Sequence, residues 1–245
     1  MPFCSNCGTE SEANERFCRH CGASLAASVA GRQTVEPAPV PETAVRVLPN
    51  YLSPTRILVM AVLSYGLYLF YWFYLTWKQY RDHTGEDAFP VWHALTLLVP
   101  IYGFFRTHAH VRTFKELMKN SGVASTLSPG WAVGLVALTG LLDGISFNVS
   151  GGFISLQEIS RGTSLAVALL DALSITVVVG LLLQLQGNLN RYWGGLPEVM
   201  SGGVSLKSAR IGAGEIILLV LGLLAWFNTL MLLFSPEYRA GSFGA

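Results

Sequence analysis

Five stretches of mostly apolar residues follow residue 56, and their lengths constrain what this chain can fold into. They cover 57–77, 89–105, 131–149, 165–186 and 213–234. A helix that crosses the hydrocarbon core of a bilayer needs about 20 such residues. Only 13% of all residues are charged, against about a quarter in an ordinary soluble domain. The sequence therefore predicts a mainly α-helical protein, a polytopic transmembrane bundle of about five spans.

The stretch at 89–105 is the weakest of the five. It is short, and it contains His93 and Pro100, which are costly or disruptive inside a regular spanning helix. It either crosses the bilayer or forms a re-entrant segment that enters and leaves on one side.

The segment at 107–120, which follows it, has a helical pattern. Val111, Phe114, Leu117 and Met118 fall on one face, with Arg112, Lys115, Glu116 and Lys119 elsewhere. This pattern suits a helix lying on the inner membrane surface, and an ordinary connecting helix is the alternative.

Lysine and arginine are distributed unevenly between the two sides of the predicted bundle. If all five stretches cross, most of these residues share a side with the N-terminus, and the other side receives Lys78, Arg81, Arg161 and Arg239. Cytoplasmic loops carry the positive excess, and the first 25 residues contain no apolar segment typical of a signal peptide. We therefore expect a multi-pass protein of the cell membrane, with a cytoplasmic N-terminus and an external C-terminus.

All the cysteines lie in two C-x2-C pairs near the N-terminus, and each pair is followed by glycine. They are Cys4, Cys7, Cys18 and Cys21. Four thiolates complete a closed tetrahedral site, which predicts a structural Zn²⁺; the same ligands also suit iron. So few residues separate the pairs that metal binding would supply most of the folding free energy. Two disulfides would need an oxidising compartment, and a redox pair would need only one C-x2-C.

The charge around the cysteines argues against a nucleic-acid partner. Residues 1–25 contain Arg16 and Arg19 against Glu10, Glu12 and Glu15, and a four-thiolate zinc site adds two negative charges. Such a surface repels phosphate, so a protein is the expected partner of any exposed face.

The chain divides into three predicted parts. Residues 1–25 are the zinc ribbon, 26–52 a flexible tether, and 53–238 the transmembrane helical domain. The tether lacks helical or strand periodicity and is interrupted by Pro37, Pro39, Pro41 and Pro49, which is typical of an extended linker.

Three short motifs resemble a prokaryotic membrane domain of unknown function. The first is a G-x-Y-x-x-Y-W run made of Gly66, Tyr68, Tyr71 and Trp72; "PVW" at 90–92 and "LNRYW" at 189–193 follow. The resemblance covers about residues 50–195, and members of that family often carry an N-terminal zinc ribbon. It implies an integral membrane protein and assigns no catalytic residue.

Ionisable residues inside the predicted spans form a candidate polar site. Asp143 lies six residues before the outer end of the third span, and Asp171 six residues after the outer start of the fourth. His93 enters the second span from the same side. These three residues could share one depth and bind a cation or a proton. Contacts between helices, helped by the small-x3-small pattern of Gly140 and Gly144, are the structural alternative.

Two functions follow from these features. The first is a membrane-anchored adaptor, scaffold or regulator whose cytoplasmic ribbon contacts another protein. The second is a small transporter or channel component, in which a homo-oligomer could complete the pathway. No Walker loop, nucleophile elbow or H-E-x-x-H motif is present, and a closed zinc site offers no position for a reacting water, so we do not expect an enzyme.

Overall fold

The computed structural model describes residues 46–150 and 159–240, together with residues 7, 9–10 and 19–21. The chain separates into two units, Met1–Ala44 and Val45–Ala245. Most of the predicted ribbon, and the predicted tether up to residue 45, lie outside the described residues.

This second unit is mainly helical. Its elements, in chain order, are β1 (Arg46–Tyr51), α1 (Pro54–Leu63), α2 (Tyr68–Thr84), α3 (Pro90–Leu95), α4 (Pro100–Asn120), α5 (Pro129–Val149), α6 (Arg161–Gly194), α7 (Pro197–Met200), β2 (Val204–Ser208), α8 (Ala213–Phe234) and α9 (Pro236–Arg239).

Among the described residues, three helices are long and apolar enough to cross a membrane. They are α5, α6 and α8, and they correspond to the predicted spans at 131–149, 165–186 and 213–234. Polar contacts place the start of α5 beside the end of α6, because Asn188 accepts a hydrogen bond from the backbone N–H of Thr126 at 2.9 Å. The two helices therefore run antiparallel.

The two strands define one end of the bundle. β1 pairs in parallel with β2, from Arg46 opposite Val204 to Tyr51 opposite Ser208. The strands precede α1 and α8, so both helices enter the bundle from this end. α6 finishes here too, where Asn190 exchanges two hydrogen bonds with the backbone of Leu52. We call this the strand end, and the opposite end, where α6 begins, the far end.

β1 occupies the last part of the segment predicted to be a flexible tether. The parallel partner supplies the backbone hydrogen bonds that an isolated segment lacks. Pro49 has no N–H to donate, and the pairing is irregular between Leu48 and Tyr51, as expected where proline interrupts a ladder.

The prediction of one continuous span over 57–77 is wrong, because α1 and α2 form a helical hairpin. α1 has 10 residues, about 15 Å of helix, which is half the thickness of a hydrocarbon core. The chain reverses at Tyr65 and Gly66, whose φ angles are +56° and +82°. α2 then returns, so that Tyr71 contacts Gly212 and Gly214 at the strand end.

Specific contacts hold the tip of this hairpin against α8. The indole of Trp226 donates to the carbonyl of Val62 at 2.7 Å, which also accepts from the backbone N–H of Tyr65 at 3.1 Å. The Ser64 hydroxyl accepts from the N–H of Tyr68 at 2.8 Å and so satisfies the first N–H of α2, which has no partner within the helix. The reversal is therefore built into both helix ends.

Residues 89–120 form a second hairpin, which supports the re-entrant alternative for the stretch at 89–105. α3 and a short 3₁₀ turn lead to Val99, where the backbone is extended, and α4 begins at the next residue. The turn is tight, since Gly103 packs against the backbone of Leu97. α4 ends beside α6, where the carbonyl of Ala124 accepts from Arg191 at 3.1 Å. Both ends of the hairpin therefore lie at the strand end.

The apolar face predicted for 107–120 is covered by protein rather than by lipid. Val111, Phe114 and Met118 are almost completely buried, and the Phe114 ring contacts those of Trp77 and Tyr80 on α2. The connecting-helix alternative therefore describes α4 better than a helix lying on the membrane surface.

Candidate functional site

A polar cluster lies at the tip of the α1–α2 hairpin and includes residues of α5, α6 and α8. Each carboxylate oxygen of Asp171 on α6 accepts one hydroxyl hydrogen bond, from Tyr65 at 2.6 Å and from Ser146 on α5 at 2.5 Å. The Tyr65 hydroxyl also contacts that of Thr229 on α8 at 2.7 Å. The cluster thus joins the hairpin to all three predicted spanning helices.

Tyr65 adopts a backbone conformation that is unusual for its side chain. Its φ of +56° lies in the left-handed region, which a bulky residue rarely occupies and which costs about 1–3 kcal/mol. The two hydroxyl contacts and an edge-on packing against Trp226, with ring centroids 5.0 Å apart, hold the residue in place. The carboxylate of Asp171 is therefore reached by a side chain under conformational strain.

The structure brings Asp143 and Asp171 into the same region, as the depth argument predicted. Asp143 on α5 lies beside the Ser174 hydroxyl and is close enough to Asp171 for the two charges to interact. Asp143 is exposed at the side of the bundle, whereas Asp171 is partly buried. Two carboxylates in different surroundings at one depth could share a proton or a cation.

His93 does not join this pair. Its ring stacks on Trp77 of α2 at a centroid distance of 4.3 Å, and the charge that acts on it is that of Arg106. The prediction assumed that the segment enters from the far end, but the hairpin enters from the strand end and leaves His93 on that side. Among the described residues, no group of three or more His, Cys, Asp or Glu could hold a metal ion.

A buried ion pair connects the two helices that follow the strands. Arg56 on α1 donates to both carboxylate oxygens of Glu215 on α8, at 3.1 Å and 2.7 Å, and to the carbonyls of Ala209 and Arg210. The Glu215 side chain is 0% exposed and that of Arg56 is 14% exposed. Arg56 and Glu215 are so distant in the chain that no periodicity in the sequence pairs them.

His83, near the end of α2, contacts the "LNRYW" motif. Its Nε2 lies 2.9 Å from the hydroxyl of Tyr192, and its ring meets Trp193 edge-on. Partial burial lowers the pKa of His83 below its usual value, although the charge of Glu198 opposes this shift. The neutral imidazole is thus the form that the fold favours.

This lowered pKa predicts a pH-dependent contribution to stability. A histidine that resists protonation in the folded state contributes fully above about pH 6.5, and its contribution is lost as the pH falls toward the lower folded pKa. We expect the difference in unfolding temperature between the wild type and His83→Gln to narrow from pH 7.5 to pH 5.5. The glutamine amide can still bond Tyr192 but does not titrate. A difference that stays constant with pH would contradict the prediction.

The donor set of the N-terminal segment fits zinc. Four thiols in two C-x2-C pairs, Cys4 with Cys7 and Cys18 with Cys21, match the number and type of ligand in a structural zinc site. Cys7 and Cys21, the second members of the pairs, are described and exposed. When bound, zinc would act as a structural cross-link between the two C-x2-C pairs.

Comparison with known proteins agrees with the cysteine pattern. Residues 3–25 match the family model of the zinc-ribbon domain, and such domains typically bind zinc structurally. No curated protein and no solved structure is significantly similar to the chain. The chain therefore carries a zinc-ribbon domain at its N-terminus, followed by helices that could span a membrane.

Proposed function

We propose that this protein is a membrane-anchored adaptor, scaffold or regulator whose cytoplasmic zinc ribbon contacts another protein. The observation that carries the proposal is the match of residues 3–25 to a zinc-ribbon domain in a chain with three apolar helices of spanning length among its described residues. A closed four-thiolate site leaves no position for a substrate. Its acidic surroundings favour a protein over a nucleic acid as the partner.

The distribution of charge supports a cytoplasmic strand end. Because α2 returns, Lys78 and Arg81 lie at the strand end instead of on the opposite side. Of the lysines and arginines after residue 45, only two then lie at the far end: Arg161 at the start of α6 and Arg239 in α9. The positive-inside rule then favours a cytoplasmic N-terminus and an external C-terminus. Because three is an odd number, as five is, a bundle of three spans also places the two termini on opposite sides of the membrane.

A second candidate function is transport, as a small transporter or channel component. The specific observation in its favour is the hydrogen bond from the strained Tyr65 to Asp171 at the tip of a re-entrant hairpin. Strained backbone is concentrated at functional sites, and an ionisable residue inside a membrane domain marks a candidate functional site. In this alternative Asp143 and Asp171 bind the transported ion or proton, and His93 takes no part.

Affinity capture of the full-length protein from native membranes separates the two functions. The wild type is compared with the double variant Cys18→Ser, Cys21→Ser, which removes two zinc ligands, and with Asp171→Asn, which keeps the ribbon. The adaptor proposal expects a protein that co-purifies with the wild type and Asp171→Asn and is lost from the cysteine variant. When the captured protein is purified, it should bind the purified wild type and Asp171→Asn but not the cysteine variant.

The zinc content and the membrane insertion of each variant serve as controls. The cysteine variant should lose its zinc and still insert, because its membrane helices are unchanged. Identical sets of captured proteins from all three samples would contradict the adaptor proposal. A cation or proton flux in reconstituted vesicles that only Asp171→Asn abolishes would establish the second function instead.

A further inference from the structure

Two helices of the second hairpin carry basic side chains whose buried nitrogen atoms have no partner. In the part of the chain that the structure describes, His93 Nδ1 on α3 and Arg106 Nε and His110 Nδ1 on α4 make no hydrogen bond. Arg106 and His110 are four residues apart, so they lie on one side of α4. Buried polar groups are normally paired, and the unpaired nitrogens of His93 and Arg106, which are only partly buried residues, point to a missing partner.

The missing partner is negatively charged. The centre of the Arg106 guanidinium lies 5.0 Å from the ring centroid of Tyr102, and no carboxylate in the described residues forms an ion pair with it. Two other arginines of the same domain are paired: Arg56 with Glu215 and Arg112 with Glu116. A partly buried cation without a counter-charge is costly, which favours an anion that comes from outside the chain.

The depth of Arg106 places it near the boundary of the hydrocarbon region. The Trp72 ring contacts His110 at 5.3 Å, and its indole donates to Gln186 at 2.7 Å. Gln186 is the last residue of the predicted span at 165–186. Because Arg106 precedes His110 by about one turn, its Cα lies about 6 Å inside that boundary. Its guanidinium lies over the Tyr102 ring, and a change of rotamer would let this long side chain extend to a phosphate group at the boundary.

The surface around Arg106 is apolar and aromatic. The exposed side chains of this hairpin include Trp92, which is 66% exposed, together with Leu95, Ile101, Tyr102 and Phe105. Aromatic residues of this kind are typical of the level of lipid head groups. His110 itself is enclosed by rings of α2 and α4, so a ligand would reach Arg106 and His93 but not His110.

We propose that the α3–α4 hairpin binds the phosphate of an anionic phospholipid in the leaflet at the strand end. Arg106 supplies the charge, His93 donates a hydrogen bond from Nδ1, and the exposed apolar residues contact the acyl chains. This inference is independent of the adaptor function, since it concerns how the membrane domain recognises its own bilayer.

Native mass spectrometry of the full-length protein in detergent, titrated with phosphatidylglycerol or phosphatidylcholine, tests this proposal. Arg106→Gln should lower the affinity for phosphatidylglycerol about fivefold and leave that for phosphatidylcholine unchanged. Arg112→Gln is the matched control, because it removes the same charge from the same helix at an exposed, paired position. It should change neither affinity.

Two further variants keep the test decisive if Arg106→Gln does not fold. Arg106→Lys retains the charge and should keep the preference for phosphatidylglycerol. His93→Phe retains a ring to stack on Trp77 and should weaken phosphatidylglycerol binding about threefold. An unchanged preference for phosphatidylglycerol in Arg106→Gln would overturn the proposal. If Arg106→Gln does not fold, wild-type affinity for phosphatidylglycerol in His93→Phe would overturn it instead. Displacement of the lipid by inorganic phosphate alone would show a free-anion site and overturn it as well.

Discussion

Glu215→Gln should destabilise the membrane domain by about 3–5 kcal/mol, because it leaves Arg56 buried without its counter-charge. The carboxylate accepts two hydrogen bonds from the guanidinium and is itself 0% exposed. The carbonyls of Ala209 and Arg210 still accept from Arg56 in the variant, but they carry no full charge. Unfolding of the purified protein in detergent, followed by the loss of tertiary structure, measures the change.

A second substitution tests whether the penalty comes from the unpaired charge. Replacing both residues, as in Arg56→Met with Glu215→Leu, removes the charge and its partner together and should recover much of the lost stability. Glu116→Gln is the matched control, since it breaks an exposed pair with Arg112 on α4, and exposed pairs contribute little. If Glu215→Gln is as stable as Glu116→Gln, the backbone carbonyls alone satisfy Arg56 and the ion pair does not fasten α1 to α8.

Length and composition were enough to predict the three helices that could span a membrane. The stretches at 131–149, 165–186 and 213–234 lie within α5, α6 and α8, respectively. Asp143 and Asp171 lie in the same region for a related reason. α5 and α6 are consecutive, antiparallel and in contact, so equal distances from their shared end give equal depths.

The two hairpins could not be recognised by the same reasoning. The stretch at 57–77 has the length of a span, and hydrophobicity does not reveal where a chain reverses. The reversal depends on a left-handed tyrosine, Tyr65, which local preference disfavours; contacts with Asp171 and Thr229, far away in the sequence, compensate for it. His93 was misplaced for the same reason, since its depth was counted from the wrong side.

The residues that carried the family resemblance have structural roles in the first hairpin. Gly66 lies in the turn with a φ of +82°, which glycine tolerates best. Tyr71 packs on Gly212 and Gly214, and the Trp72 indole donates to Gln186. The G-x-Y-x-x-Y-W pattern is therefore explained by the reversal of the chain and by its packing against α6 and α8, without reference to an activity.

Gly222→Ala should destabilise the protein by about 3 kcal/mol or more, because α8 and the hairpin tip are too close for any side chain. A Cβ at residue 222 would overlap the backbone of Ser64 and the carbonyl of Leu63. Backbone atoms cannot rotate away as a side chain can, so α1 would have to move. That movement would also break the bond between Trp226 and Val62, which should change the tryptophan fluorescence.

Gly180→Ala is the matched control for this substitution. It lies inside α6, and a Cβ there would meet nothing within 4 Å, so the better helix propensity of alanine should leave stability unchanged or raise it slightly. Unfolding measured for both variants in the same detergent compares the two sites directly. If Gly222→Ala unfolds like Gly180→Ala, the hairpin tip does not pack against α8 at this distance. The reversal at Tyr65 would then lack its main support, because the contacts of Trp226 and Thr229 depend on the same approach.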